Sequence, residues 1–234
     1  MNTTILKRRD MSIIIKIVLG KKGFNRMIAI IDYDAGNIKS VEKALLYLGA
    51  EVCLTRDADV ILGADGVVLP GVGAFGDAMQ KLRDYGLVEV IHKCVDKGTP
   101  FMGICLGLQL LFESSEESPG MEGLHLLDGK IVRIPSDGGL KVPHIGWNDL
   151  RFPGRDGGRG RLFQGLPEKP YVYFVHSYYL QAADEKIVTA TTEYGVTIHA
   201  AVEKDNVFAC QFHPEKSSDV GMQILRNFIE VTKG

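Results

Sequence analysis

Apolar residues between positions 27 and 105 come in short runs that alternate with amphipathic segments. Near-continuous apolar runs are typical of strands buried on both faces, and apolar residues at helical spacing are typical of the helices that cover them. The pattern predicts strands at 28–31, 52–54, 66–69 and 100–104, and helices at 40–48 and 77–95. This alternation is typical of βα units in a parallel sheet, whose ligands bind at the carboxyl ends of the strands.

Beyond residue 120 the pattern becomes richer in strands. Strand-like runs lie at 130–134, 171–180, 187–192, 196–202 and 207–212, and a final helix is predicted at 219–231. Residues 152–165 contain five glycines among mixed charges, which predicts a surface loop. We therefore predict an α/β fold with a mostly parallel sheet, helices on both faces and a β-rich C-terminal half.

Composition and charge exclude several classes of protein. The 234 residues are 45% hydrophobic and 24% charged, as in an ordinary globular protein with one core. The net charge of -2 gives no electrostatic attraction for nucleic acid. No stretch approaches the ~18 consecutive apolar residues needed to span a bilayer, so we expect no membrane role.

The four cysteines lie far apart, at Cys53, Cys94, Cys105 and Cys210, with no CxxC pair. This spacing predicts neither a zinc site nor a disulfide framework and fits a reducing, cytoplasmic compartment. We expect no metal and no cofactor. Apolar neighbours around Cys53, Cys94 and Cys210 indicate core residues, whereas Cys105 has a special setting.

The first 26 residues differ from the rest, with seven Lys and Arg residues against one acidic residue, Asp10. Their apolar stretch, 11–20, is interrupted by Lys16 and is followed by no small-residue cleavage site, which argues against a secretory signal. We predict that residues 1–26 are an extension outside the core, with the functional start at Met27. Residues 27–234 are predicted to form one domain.

The motif Gly103-Ile104-Cys105-Leu106-Gly107 follows a predicted strand and opens a predicted helix at 106–113. A cysteine between two glycines on such a turn is typical of an exposed nucleophile, since side chains at the glycines would crowd the approach of a substrate. The helix N-terminus would lower the pKa of the thiol from about 8.5 toward neutrality. The motif therefore predicts acyl transfer through a thiolate.

A thiolate nucleophile needs a base, and the base needs a group that orients it. Gln211-Phe212-His213-Pro214-Glu215 lies at the end of a predicted strand. In an extended segment His213 and Glu215 would point the same way, so Glu215 is the candidate to orient His213.

The oxyanion of an acyl transfer needs backbone N–H donors. Pro70-Gly71-Val72-Gly73 follows the strand at 66–69, so it should lie beside Cys105 at the same sheet edge. Gly71 and Gly73 allow a peptide to turn its N–H inward, and the Val72 and Leu106 amides are the candidate donors. An ordinary βα loop is the alternative.

Together these motifs resemble the class I, triad-type glutamine amidotransferases, over the chain from residue 27 to its end. Within that family, further segments resemble the glutaminase subunits of imidazole glycerol phosphate synthases. These segments are 33–37, 70–75, 143–148, 174–178 and 213–218.

The resemblance implies roles for individual residues. Cys105 would attack the side-chain amide of L-glutamine, His213 would protonate the departing ammonia and then activate water, and Glu215 would orient His213. The resemblance also implies contacts to glutamine from Gln109, Glu117, His176, Ser177 and Tyr178. Gln109 lies four residues after Cys105, on the same helical face, whereas Glu117 could equally be a solvated charge.

The resemblance implies a partner as well. It would be a separate (β/α)₈ cyclase subunit that forms a heterodimer with this chain in histidine biosynthesis, and Asn37, Trp147, Tyr173 and Lys216 would lie near the docking face. We expect the glutaminase activity to be gated, with the Val72 amide pointing inward only when the partner holds its ligand.

Three other functions stay open at this point. The chain could serve another synthesis, such as that of anthranilate or carbamoyl phosphate. It could be a non-catalytic module on the same fold, or a thiol hydrolase without preference for glutamine.

Overall fold

The computed structural model describes residues 26–136, 139–153 and 159–234. The strands are β1 Met27–Ile31, β2 Glu51–Thr55, β3 Gly66–Gly71, β4 Phe101–Cys105, β5 Ser114–Ser115, β6 Gly129–Arg133, β7 His144–Asp149, β8 Tyr171–His176, β9 Tyr178–Ala182, β10 Val188–Glu193, β11 Thr197–Lys204 and β12 Val207–Cys210. The helices are α1 Ile38–Tyr47, α2 Ala58–Leu62, α3 Phe75–Asp84, α4 Leu87–Asp96, α5 Leu106–Leu110 and α6 Ser218–Val231. Short 3-10 turns cover Arg161–Phe163, Glu185–Ile187 and Pro214–Lys216.

Ten of the described strands form one mixed sheet in the order β2-β1-β3-β4-β12-β11-β9-β6-β5, with β10 paired to β11. From β2 to β12 the neighbouring strands are parallel. Beyond β12 the pairs β12–β11, β11–β9 and β9–β6 are antiparallel. Strands β7 and β8 form a separate antiparallel pair. The predicted α/β class with a β-rich C-terminal half is confirmed, and the parallel part of the sheet is its N-terminal half plus β12.

Two apolar cores lie on the two faces of the parallel part. Successive side chains of β1 point to opposite faces of the sheet: Ala29 and Ile31 pack in one core, and Ile28 and Ile30 pack in the other. Helices α3, α4 and α5 cover the first core, and α1 and α6 cover the second. Both faces are therefore buried, which explains the near-continuous apolar runs of these strands.

Three element boundaries differ from the sequence prediction. The helix predicted at 77–95 is two helices, because Gly86 adopts a left-handed φ of 68° between α3 and α4. The helix predicted at 106–113 ends at Leu110, since the backbone of Glu113 bonds instead to Gly129 and Gly123. The strand predicted at 171–180 is interrupted at Ser177, where the chain passes from the β7–β8 pair to the large sheet.

Sequence reasoning also missed three elements, namely α2, the two-residue β5 and β7, and misplaced one cysteine. Helix α2 is short and is capped by Asp57, whose carboxylate accepts hydrogen bonds from two backbone N–H groups of its first turn. Strand β7 lacks a long apolar run because much of it is solvent-exposed. Cys94 and Cys210 are buried as predicted, but Cys53 is only half-buried because β2 is an edge strand.

Two predictions fall partly outside the described residues. Residues 1–25 of the predicted N-terminal extension are not among them, nor are residues 154–158 of the predicted loop. Arg26 is described, and its guanidinium lies 3.2 Å from Asp65 Oδ1. None of the helices in the described part of the chain is long and apolar enough to cross a membrane.

Candidate active site

Cys105 ends β4 and precedes the first residue of α5, with φ 55° and ψ −110°. A non-glycine residue at positive φ costs of order 1–3 kcal/mol and persists only where its surroundings enforce it. The surroundings here are close: a Cβ at Gly107 would lie 1.9 Å from the Leu69 carbonyl oxygen, and one at Gly103 would lie 2.7 Å from the Gly107 carbonyl oxygen. The glycines are therefore required by the packing of the turn on itself and on β3. The sequence interpretation, which attributed them to the approach of a substrate, was wrong on this point.

His213 and Glu215 follow β12, the parallel neighbour of β4. His213 Nδ1 lies 2.8 Å from Glu215 Oε1, and the two side chains are 1% and 0% exposed. His213 is extended, but Glu215 lies in the 3-10 turn Pro214–Lys216. The side chains thus meet through a turn and not through the extended segment predicted from the sequence.

Remote residues hold this turn in place. Ser217 Oγ donates to the His213 carbonyl oxygen at 2.6 Å and accepts a hydrogen bond from the Tyr173 N–H at 3.0 Å. Asn37 Nδ2 donates to Glu215 Oε1 at 2.6 Å, from the start of α1. The Glu215 oxygen that faces His213 is therefore fixed by two partners.

Electrostatics favour a protonated His213. Burial alone lowers the pKa of His213, but its contacts with Cys105 and Glu215 outweigh burial and raise the pKa to about 9. The Nε2 atom is buried and, within the described residues, has no hydrogen-bond partner. At neutral pH the imidazolium can therefore stabilise negative charge on the neighbouring sulfur and can donate a proton to a leaving group.

A cavity of about 450 Å³ opens over these groups. Its lining includes most of the residues that the sequence predicted for the site: Val72, Gly73, Cys105, Leu106, Gln109, Glu117, His176, Ser177, Tyr178, His213 and Lys216. Pro143 and Val175 complete it. Glu215 is not in the lining and lies behind His213, to which it is hydrogen-bonded.

The loop after β3 borders the nucleophile. The strand register places Gly71 opposite Cys105. A Cβ at Gly71 would lie 2.5 Å from the Tyr33 hydroxyl and 3.0 Å from Leu106 Cβ, so only glycine fits without displacing them. Gly73 has a φ of 104°, which a residue with a side chain rarely adopts. Val72 and Gly73 of this loop, together with Leu106, line the same cavity as the cysteine.

Comparisons with known proteins agree with this geometry. The sequence profile of the family described as glutamine amidotransferase class-I matches residues 29–231. The imidazole glycerol phosphate synthase subunit HisH of Moorella thermoacetica is 51% identical over 208 residues, which cover 89% of this chain and 96% of the relative. The subunit of the same name from Bacillus cereus is 52% identical, covering 86% and 93%. The chain belongs to the class-I glutamine amidotransferases and, within them, to the HisH family.

Solved structures support the fold of this amidotransferase independently. A crystal structure titled as a glutamine amidotransferase matches with a TM-score of 0.69 at 22% identity, covering 88% of this chain and 99% of the other. The PurLQS structure from Thermotoga maritima matches with a TM-score of 0.68 at 21% identity, covering 89% and 99%. The family resemblance drawn from the sequence is confirmed, and with it the conclusion that the chain is an enzyme.

Two of the residues predicted to contact the substrate are also hydrogen-bonded to other residues of the amidotransferase. Gln109 Nε2 donates to the Tyr178 carbonyl oxygen at 3.1 Å and to Gln211 Oε1 at 3.0 Å, which leaves only its Oε1 for the cavity. Glu117 Oε2 accepts the Phe75 N–H at 2.8 Å, at the start of α3. Glu117 is thus a helix-capping group as well as part of the cavity wall.

His176, another of the predicted substrate contacts, is also buried. Its Nδ1 lies 2.9 Å from the Tyr178 carbonyl oxygen, and its Nε2 lies 3.3 Å from His144 Nδ1. Burial lowers the pKa of His176 to about 3 and that of His144 to about 4, so both rings are neutral at pH 7. Ser177 and Tyr178 follow it along the cavity wall.

The four predicted interface residues separate into two groups. Asn37 is hydrogen-bonded to Glu215. Trp147 is 53% exposed, its ring lies 6.2 Å from that of Tyr173 across the β7–β8 pair, and Lys216 Nζ lies 6.0 Å from the Tyr173 ring. These three residues form a cluster in which Trp147 and Lys216 are exposed and Tyr173 is half-buried, and which reaches the cavity at Lys216.

Sequence reasoning missed two residues of the site. Gln211 Nε2 lies 3.8 Å from Cys105 Sγ, and His144 contacts His176. His144 belongs to a segment that carried the resemblance, and Gln211 lies two residues before another, but their contacts leave no signal in the sequence because they depend on side chains far away in the chain. In the described residues no group of three or more His, Cys, Asp and Glu side chains could hold a metal ion.

Proposed function

We propose that this chain is the glutaminase subunit of an imidazole glycerol phosphate synthase, that it hydrolyses L-glutamine to glutamate and ammonia with Cys105, His213 and Glu215, and that it acts in the cytoplasm. One observation carries the proposal: Cys105, on a strained strand-to-helix turn, and His213, which is paired with the buried Glu215 behind it, border one cavity. The relatives that are 51% and 52% identical in sequence are named as a subunit of this synthase.

In the first half of the reaction, Cys105 Sγ attacks the side-chain amide carbon of glutamine. The negative charge passes to the amide oxygen, where the backbone N–H groups of Val72, Gly73 and Leu106 are the candidate donors. When the tetrahedral intermediate collapses, the C–N bond breaks and His213 Nε2 donates the proton that releases ammonia. A glutamyl thioester remains on Cys105.

In the second half, neutral His213 takes a proton from a water molecule, which attacks the thioester carbon. The C–S bond breaks, glutamate leaves, and the proton on His213 restores the starting pair. Glu215 keeps Nδ1 of His213 protonated, so Nε2 is the atom that exchanges protons with the substrate. Asn37 holds the carboxylate of Glu215 in place.

The cavity supplies groups for both ends of the amino acid. Gln109 Oε1 and the carboxylate of Glu117 are acceptors suited to the glutamine ammonium group. Ser177 and Tyr178 offer hydroxyl groups and backbone amides to the carboxylate. A substrate bound between them would place its side chain toward Cys105.

The ammonia is passed on to a partner, which we propose to be a (β/α)₈ cyclase subunit. The relatives are named as subunits of a synthase, and the cluster of Trp147, Tyr173 and Lys216 is an exposed aromatic and cationic surface beside the cavity. Exposed aromatic residues next to a site are typical of interfaces. The positive-φ glycine of the loop after β3 allows the Val72 amide to turn inward when the partner is loaded.

The test is ammonia release from L-glutamine by the purified chain, alone and with a cyclase subunit and its nucleotide substrate. Cys105→Ala is the blank, and we expect it to lower kcat by at least about 10³-fold, since Cys105 carries the only thiol among the described residues that line the cavity. Strong stimulation by the loaded partner supports the gate. Equal rates with and without the partner would remove the gate but keep the triad.

The same assay decides among the other functions. No Cys105-dependent release in any mixture would indicate a non-catalytic module. Turnover of esters without preference for glutamine would indicate a simple thiol hydrolase. Stimulation by the partner of a different synthesis, such as that of anthranilate, would reassign the subunit.

A further inference from the structure

A chain of hydrogen bonds runs through the buried wall of the cavity and ends at the nucleophile. It starts at His144 and continues through His176, the Tyr178 carbonyl and Gln109 to Gln211. Gln211 is 0% exposed, and its Nε2 lies 3.8 Å from Cys105 Sγ, within range for a hydrogen bond to sulfur.

The donor and the acceptor of each hydrogen bond in this series follow from one atom, the Tyr178 carbonyl oxygen. The Tyr178 carbonyl oxygen can only accept, so His176 Nδ1 must carry a hydrogen and Gln109 must present its NH₂ group. With Nδ1 protonated on a neutral ring, His176 Nε2 is an acceptor and takes the hydrogen of His144 Nδ1.

The same logic fixes the Gln211 amide. Gln109 Nε2 has two hydrogens, and the second is directed at Gln211. The oxygen of Gln211 must therefore face Gln109, which turns its NH₂ group toward Cys105. A flipped Gln211 would place two NH₂ groups in contact and an oxygen against the sulfur, and both contacts are unfavourable.

The other titratable groups around Cys105 do not supply this interaction. The Tyr33 hydroxyl donates to the Pro70 carbonyl oxygen at 2.9 Å, and burial raises its pKa, so Tyr33 is neutral and its hydrogen is engaged. Burial likewise raises the pKa of the Cys210 thiol, whose Sγ lies 3.5 Å from the Phe212 carbonyl oxygen. Apart from the imidazolium of His213, Gln211 is the side-chain donor that the described residues aim at the sulfur.

We infer that Gln211 is a positioning residue of the glutaminase reaction: its side-chain N–H, aimed by Gln109, donates to Cys105 Sγ and stabilises the thiolate. A buried anion needs more than one hydrogen bond to replace its hydration, and a hydrogen bond to a charged group is stronger than one to a neutral group. The interaction is therefore stronger with the thiolate than with the thiol. This inference rests on the proposed function.

Two variants separate the donor from the rest of the side chain. Gln211→Glu keeps an oxygen for Gln109 but replaces the donor to Cys105 with an acceptor. Gln211→Met removes both polar ends at similar length. Thr192→Val is the matched control, because Thr192 is 0% exposed and its hydroxyl has no partner in the described residues and lies outside this chain of hydrogen bonds.

The main readout is the rate at which iodoacetamide alkylates Cys105, measured by mass spectrometry of its peptide between about pH 5 and pH 10. We expect Gln211→Met to slow alkylation near neutral pH by about 10-fold, because the thiolate loses a donor, and Gln211→Glu to slow it further, because the new carboxylate repels the thiolate. Thr192→Val should keep the profile of the unmodified chain. This readout does not require glutamine turnover.

The second readout is steady-state glutaminase activity in the complex with the cyclase subunit. We expect Gln211→Met to lower kcat about 10-fold with KM changed less than about threefold, because the residue acts on the nucleophile and not on bound glutamine. Thermal unfolding identifies variants that fail to fold. If Gln211→Met does not fold, Gln211→Glu alone decides.

The outcomes separate the two proposals. Folded Gln211 variants with an unchanged alkylation profile, in a chain whose glutaminase activity depends on Cys105, would overturn the inference and leave the proposed function intact. Absence of any Cys105-dependent glutaminase activity in the unmodified chain would overturn the proposed function, and the positioning role with it.

Discussion

The nucleophile and the base of this site are held in different ways. Cys105 lies on a turn fixed by backbone packing, where the nearest obstacles to added atoms are the carbonyl oxygens of Leu69 and Gly107. His213 lies on a turn fixed by two side-chain hydrogen bonds: Ser217 Oγ donates to its carbonyl oxygen, and Glu215 accepts from its ring. Backbone packing tolerates no added atom, whereas hydrogen bonds can be removed one at a time.

The difference explains why the nucleophile turn can be recognised from its own short motif, whereas the partners that hold the base cannot. The nucleophile turn needs small residues within its own motif, so it can be recognised locally. The base needs partners from distant parts of the chain, such as Asn37, which lies 178 residues from Glu215. We therefore expect substitutions at the nucleophile turn to act through folding, and those at the base to act through charge and geometry.

The largest effect is expected for Gly107→Ala. Its Cβ would lie 1.9 Å from the Leu69 carbonyl oxygen, so β3 and α5 must separate. We expect the free energy of unfolding in urea to fall by at least about 3 kcal/mol.

The control for this substitution is Gly120→Ala. Gly120, unlike Gly107, has a positive φ, of 84°, but no atom lies within 4 Å of an added Cβ. It should cost only about 1 kcal/mol, from backbone strain alone. Equal losses in the two variants would contradict the view that packing holds the nucleophile turn.

The next effect concerns the charge on His213. Its pKa of about 9 in the folded chain lies above the ordinary value of 6.5, so its contribution to stability is complete below pH 6.5 and is lost as the pH rises through 9. The loss amounts to roughly 3 kcal/mol at most. Glu215→Gln should flatten the fall of the unfolding free energy over this range, because the carboxylate that favours the charged ring is gone.

Below pH 6.5 the unfolding free energy changes with pH in the opposite direction, and this range serves as an internal control. The pKa values of His144 and His176 are lowered to about 4 and about 3, so their contribution is complete above pH 6.5 and is lost as the pH falls toward those values. Glu215→Gln should leave the part of the acid-side slope that comes from these two rings unchanged. An alkaline slope identical in both proteins would show that Glu215 does not sustain the charge on His213.

The smallest effect is expected for Ser217→Ala. The hydroxyl donates to the His213 carbonyl oxygen and accepts from the Tyr173 N–H, so its loss removes the partner of that N–H and leaves the carbonyl with only the Lys216 N–H. We expect a loss of about 2 kcal/mol in unfolding free energy and a lower kcat at little-changed KM. Ser218→Ala, at the exposed neighbouring position, should change stability by less than about 0.5 kcal/mol. A Ser217→Ala variant with unchanged kcat would show that the turn keeps its geometry without this hydroxyl.

Much of the architecture follows from local pattern. The buried runs of β1, β3 and β4 predicted the parallel core, because strands covered on both faces are apolar throughout. The glycines around Cys105 and the motif after β12 predicted a nucleophile and its base. Strand β7 could not be predicted, because its exposed residues leave no periodic pattern.

Only the tertiary structure determined which side chains face one another. The pairing of β12 with β4 brings Phe101 opposite Val207, and it places Gln211 and His213 beside Cys105. Gln109 and Gln211 lie 102 residues apart, yet their amide groups are 3.0 Å apart in the fold. The sequence by itself determined most of the elements, the family and the candidate triad, since these depend on residue types at short spacing. The directions of the hydrogen bonds, the raised pKa of His213 and the use of the Gln109 amide depend on atoms that only folding brings within bonding distance.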